Sequence, residues 1–112
     1  MKTNLRRYSF KAKLWQYKAQ GGWYFLTLPR KLSLKIRDAH AGSEEGWGRL
    51  KTQSTTGGTS WNTAIWYDTK YKSYLLPVKA LVRKNEKLKA GTLVSVTLEI
   101  EYDRWTENLL DD

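Results

Sequence analysis

Two segments of this chain follow one plan. FLTLPRKLSLKIR (Phe25 to Arg37) and SYLLPVKALVRK (Ser73 to Lys84) each end a strand-forming stretch in Leu-Pro and carry Lys two residues after the proline. Each continues as a short basic amphipathic segment, and a glycine-bearing turn and another strand follow. A unit that occurs twice points to an internal duplication. Strand, short helix, strand, taken twice, closes into a small barrel without exposed edges.

The strands themselves are legible by parity. In TLVSVTLEIEYD, Val94, Val96, Leu98, Ile100 and Tyr102 share one face and Ser95, Thr97, Glu99, Glu101 and Asp103 the other. That period of two marks an antiparallel strand with one wet face. Tyr8, Phe10, Ala12 and Leu14 alternate with polar neighbours in the same way, and a turn at Gln20-Gly21-Gly22 leads into WYFLTL. Three more strands are predicted over 47–55, 60–67 and 72–77, separated by Gly57-Gly58 and by Asp68 to Lys70. Helices are predicted over 30–38 and 79–84, each behind a proline, which suits a helix start because its missing N–H has no partner there. AHAGSEEGWG reads as an exposed loop, with His40 a solvent-facing histidine in it. The expected fold is a mostly β, small, closed or partly split barrel with one or two short helices, in one domain spanning 1–112. An acidic tail follows at 103–112.

Composition excludes much chemistry. The chain has no cysteine, which removes disulfides and thiolate metal sites and fits a cytoplasmic location. The basic N-terminus is not followed by an apolar run, so neither a signal peptide nor a membrane span is expected. The formal charge is +9, and residues 1–37 contain ten basic side chains and no acid. Such an excess attracts polyanions, although it serves solubility equally well. With one histidine in a loop and no thiol, neither a nucleophile nor a base can be named. Glu99 and Glu101 share a strand face, which a wet surface accounts for better than paired-acid chemistry. No enzymatic activity can be assigned, and no metal or cofactor is expected.

The Gly57-Gly58 pair has two readings. It is a tight hairpin turn, because positive φ costs glycine nothing. It is also a place where backbone N–H groups, with the hydroxyls of Thr59 and Ser60 beside them, can face an anion. Six tryptophans and seven tyrosines are the other unusual feature. Trp61, Thr63, Ile65 and Tyr67 point one way along a strand and Asn62, Ala64 and Trp66 the other, so at least one tryptophan should leave the core face unless both faces are covered. Aromatics beside Lys and Arg suit bases, sugars or other planar ligands. Filling a small barrel core is their commoner use.

The combination of Gly57-Gly58-Thr59, Trp61, Thr63, Leu76-Pro77-Val78-Lys79, Arg83-Lys84, Gly91 and the alternating Val94, Val96, Leu98 resembles the bacterial family catalogued as domain of unknown function 1905. The opening FKAKLWQYKAQGGWYFLTLP also resembles that family's start, and the likeness covers about residues 8 to 102. The family's usual Ser stands as Ala64 here, and Trp66-Tyr67 also departs from its pattern. The resemblance implies a small barrel akin to the double-split barrel of AbrB- and MazE-like regulators, with both copies in one chain. It also implies a stand-alone form without the YdeI- or OmpD-associated second domain, and it implies no activity.

Together these readings give a non-catalytic module binding a small anionic or planar ligand. The candidate residues are Gly57, Gly58, Thr59, Ser60, Trp61, Thr63, Lys79 and Arg83. Nucleic-acid binding is the alternative, from the charge and the AbrB-like resemblance, and a protein-interaction module the third. A monomer or weak dimer is expected.

Overall fold

The computed structural model describes residues 3–18, 22–40, 42, 44 and 48–103. In chain order the elements are β1 (Thr3–Lys13), β2 (Trp15–Gln16), β3 (Tyr24–Thr27), α1 (Arg30–His40), β4 (Arg49–Thr56), β5 (Thr59–Asp68), β6 (Ser73–Pro77), α2 (Ala80–Glu86) and β7 (Leu93–Asp103). The strands form one antiparallel sheet in the order β1-β7-β4-β5-β6-β3-β2. Its two ends, β1 and β2, are separated in the chain by Leu14 alone. Leu14 donates its N–H to Thr92 O (2.9 Å) and accepts from Gly91 N–H (2.7 Å), so it holds to the β7 side while β2 crosses to β3. The sheet therefore curls on itself into a partly open barrel, as the duplicated pattern predicted.

The strand order repeats that duplication. Taking β1, β2, β3, α1 and β4 as one half and β5, β6, α2 and β7 as the other, each half's middle strand pairs with its counterpart, β3 with β6. Each half's last strand does the same, β4 with β7. The first strand of each half then pairs with the last strand of the other, β1 with β7 and β5 with β4. This is a two-fold arrangement within one chain.

Parity places the core inside the curl. Phe10, Leu14, Leu26, Ile65, Tyr74, Leu76, Val94, Val96 and Leu98 face inward and are buried. Trp61 is only 4 % exposed; its register partner on β4 is Ser54, a small residue that leaves room for the indole, in keeping with close-packed interiors. Helix α1 buries Ser33, Ile36 and His40 along one stripe and α2 buries Val82. Ser33 Oγ accepts the backbone N–H of Tyr74 (2.9 Å), which fixes α1 against β6.

The histidine corrects the sequence reading. His40 ends α1 and is 1 % exposed, with Nε2 2.9 Å from Tyr8 OH. The helix runs two residues beyond its predicted end, and that extra length carries the imidazole under β1. Apolar spacing alone did not mark it, because the stripe it completes begins with a serine. Residues 41, 43 and 45–47 of the predicted 39–48 loop, and the acidic tail beyond Asp103, lie outside the described residues. Among the described residues no helix is long and apolar enough to cross a membrane.

Candidate functional site

The sequence-predicted residues separate into three places. Gly57 and Gly58 form the two-residue β4–β5 turn, closed by the pair Thr56 and Thr59. Gly57 has φ +55°, as a type II′ turn requires at its first central position. A carboxylate already lies against this turn. Glu86, at the end of α2, accepts from Thr59 Oγ1 at 2.6 Å, and its side chain occupies the space that a Cβ on Gly57 would need. Arg83, one turn earlier on α2, lies over the Tyr24 ring at 3.7 Å and donates Nε–H to Val78 O (3.2 Å).

The others diverge. Ser60 faces outward and shares a 2.8 Å hydrogen bond with Thr55. Trp61 lies in the core and donates Nε1–H to Pro77 O (3.3 Å). Thr63 is partly buried opposite Thr52. Lys79 is exposed just before α2. The structure thus joins Gly57 and Thr59 through Glu86, places Arg83 nearby on the same helix, and does not gather the eight residues around one cavity. A shallow hollow of about 610 Å³, lined by Ser9, Lys11, Thr55, Gly57, Ser95 and Thr97 among others, includes only Gly57 of the set.

A second concavity lies on the outer face of the sheet. It has a volume of about 470 Å³ and is lined by Trp15, Thr27, Arg30, Asp68, Tyr71, Ser73 and Leu75. Outward parity on β2, β3 and β6 supplies Trp15, Thr27, Ser73 and Leu75; the β5–β6 turn supplies Tyr71, and the start of α1 supplies Arg30. Trp15 is held in place: Nε1–H donates to Thr27 Oγ1 (2.9 Å), and the ring packs on Phe25 at 5.2 Å. Phe25 is stacked on its other neighbour, Trp23, at 6.2 Å and 13°. Phe25 is buried, yet outside the inner core cluster. Its burial comes from this external aromatic trio. Asp68 shapes the adjoining turn, its Oδ1 accepting from Lys70 N–H (2.9 Å) and Tyr71 N–H (3.4 Å).

Exposure separates these aromatics from the core. Tyr71 is 58 % exposed, Trp23 51 % and Trp66 43 %. Parity put Trp61 and Trp66 on opposite faces, and Trp66 is the one that leaves the core. Sequence reasoning passed over the groove because its residues are scattered across the chain; outward parity of Trp15, Phe25, Trp66 and Leu75 was the available signal.

A polar cluster also sits where α1 meets the inner ends of β5 and β6. Tyr74 OH donates to Glu44 Oε1 (3.0 Å), Tyr67 meets Tyr74 edge-on at 5.1 Å, and the Arg37 guanidinium lies 3.8 Å from the Tyr67 ring centre. Burial, reinforced by the bond to Glu44, pushes the Tyr74 phenol above its ordinary value. Tyr74 therefore stays protonated and serves as a fixed donor.

The family model described as Domain of unknown function (DUF1905) matches residues 10–98, and the chain belongs to that family. No curated protein matches the chain.

Proposed function

With no activity attached to the DUF1905 family, we propose from the geometry that this protein is a non-catalytic binding module that holds a planar polar ligand in the outer groove. The observation that carries this reading is the position of Trp15: a tryptophan on the outer face, fixed by a hydrogen bond to Thr27, walling a concavity that also contains Leu75 and the exposed Tyr71. Ligand sites combine apolar walls with a few placed polar groups. Here Leu75 and the two rings offer apolar contact, Arg30 a cation and Asp68 a carboxylate. A fixed ring loses little freedom on binding, which favours affinity.

The test is a panel of aromatic carboxylates and nucleoside monophosphates, followed by tryptophan fluorescence and thermal melts. Saturable quenching and a raised Tm are expected, both lost in Tyr71→Ala. If no planar compound raises Tm, the reading fails.

A second reading keeps a small anion at the Gly57-Gly58 turn beside Thr59, with Arg83 one helical turn from Glu86 on α2. It is supported by the carboxylate of Glu86 resting there, which is the kind of group the turn would receive from a ligand. Titration of Glu86→Gln with inorganic phosphate tests it, and an unchanged Tm at millimolar phosphate would remove it.

A further inference from the structure

Resting on the groove reading above, we infer that the outer face around the groove is a track for single-stranded nucleic acid. Register places one row of outward side chains across four neighbouring strands: Arg49 beside Trp66, Trp66 beside Leu75, Leu75 beside Thr27. The Trp15 indole extends the row through its bond to Thr27. With strands about 4.8 Å apart, the row spans roughly 15 Å, enough for a few nucleotides.

Three features of this face select the ligand. It exposes Trp66, Tyr71 and Trp23, separate ring surfaces rather than one slot, and every base has a π-face to stack on such rings. Its exposed cations include Arg30 and Lys70, which suit a polyanion. The carboxylate among the groove's lining residues, Asp68, already accepts two backbone N–H groups. On the strand adjoining β4, Glu99 is paired to Arg7 at 3.0 Å and Glu101 is exposed.

A duplex keeps its bases stacked on one another and could not use the exposed rings. A single strand fits both the rings and the charge.

The experiment uses the full chain with fluorescently labelled oligothymidylate and oligouridylate of about twelve nucleotides, a duplex of equal length, and thymidine monophosphate. Both single strands should bind at low salt, quench tryptophan emission, and weaken steeply as salt rises, since each neutralised phosphate releases a counterion. Trp66→Ala and Tyr71→Ala should each weaken binding roughly tenfold while leaving Tm near the wild-type value. Arg30→Ser combined with Lys70→Ser should flatten the salt dependence. Equal or tighter binding of the duplex would overturn the inference. Monophosphate binding as tight as the oligomers would leave the groove reading standing and overturn the track. Absence of binding by oligomers, monophosphate and the planar panel alike would remove both. Concentration-dependent dimerisation abolished by Trp66→Ala would assign the face to self-association instead.

Discussion

Glu86 Oε2 accepts a 2.6 Å hydrogen bond from Thr59 Oγ1, fastening the end of α2 to the β4–β5 turn. The contact depends on a residue without a side chain at 57. Gly57 has φ +55°, and a Cβ there would collide with the Glu86 carboxylate; at Gly58 an added Cβ meets nothing within 4 Å. Gly57→Ala should therefore cost about 1–2 kcal/mol from the left-handed backbone, with a further loss as the carboxylate is displaced. Gly58→Ala should be close to neutral. Urea unfolding of the two variants checks the contrast. Adding Glu86→Ala to Gly57→Ala should recover the steric share and leave the backbone share.

The two tryptophans of β5 make a second contrast. Trp61 is buried in the core and Trp66 is 43 % exposed on the other face. Trp61→Ala should destabilise by about 3–5 kcal/mol, the usual cost of emptying a large aromatic site. Trp66→Ala should change stability by about 1 kcal/mol or less. Acrylamide should quench the emission lost in Trp66→Ala far more readily than the emission lost in Trp61→Phe.

These contrasts show where sequence reading succeeded and where it stopped. The strands of β4 to β7 were legible because a period of two is forced on any sheet with one buried face. The Leu-Pro units marked the helix starts, since proline's fixed φ and absent N–H suit that position and few others. His40 was misread because it lies where the helix gives way to a polar loop, and only tertiary packing decides whether such a side chain turns inward. For Gly57, Thr59, Trp61 and Arg83, spacing could not say that Glu86 would reach the turn or that Trp61 would point inward. The groove was hidden for another reason. Trp15, Thr27, Tyr71 and Leu75 meet only because the chain crosses from β1 to β2 at Leu14 and pairs β3 with β6.

Burial of His40 gives the fold a pH dependence with a definite sign. Burial, with the positive charge of Arg6 adding to it, pushes the imidazole from its ordinary 6.5 down to about 4. The unfolded chain then binds the proton more readily than the folded one. The contribution of neutral His40 is fully present above pH 6.5 and is lost as pH falls toward 4, by about 3 kcal/mol over that window. Unfolding free energies at pH 7.5 and 4.5 should differ by less in His40→Gln than in the wild type. An equal difference in the two proteins would show that carboxylates alone set the acid sensitivity.

Ser33 is the most economical place to test how α1 is held to the barrel. Its hydroxyl is fully buried and accepts the Tyr74 backbone N–H at 2.9 Å. Serine is a poor helix former compared with alanine, so Ser33→Ala should help the isolated helix by a few tenths of a kcal/mol. The same change removes the acceptor from a buried donor, which costs about 1–3 kcal/mol. The second effect is the larger, and the variant should be less stable despite its better helix propensity. Leu34→Ala, one residue along on the exposed side of α1, should show little change. Urea unfolding gives the signs, and hydrogen exchange at the Tyr74 amide should accelerate in Ser33→Ala beyond what the loss of global stability accounts for. If that amide exchanges no faster than its neighbours on β6, the hydroxyl is not what anchors the helix.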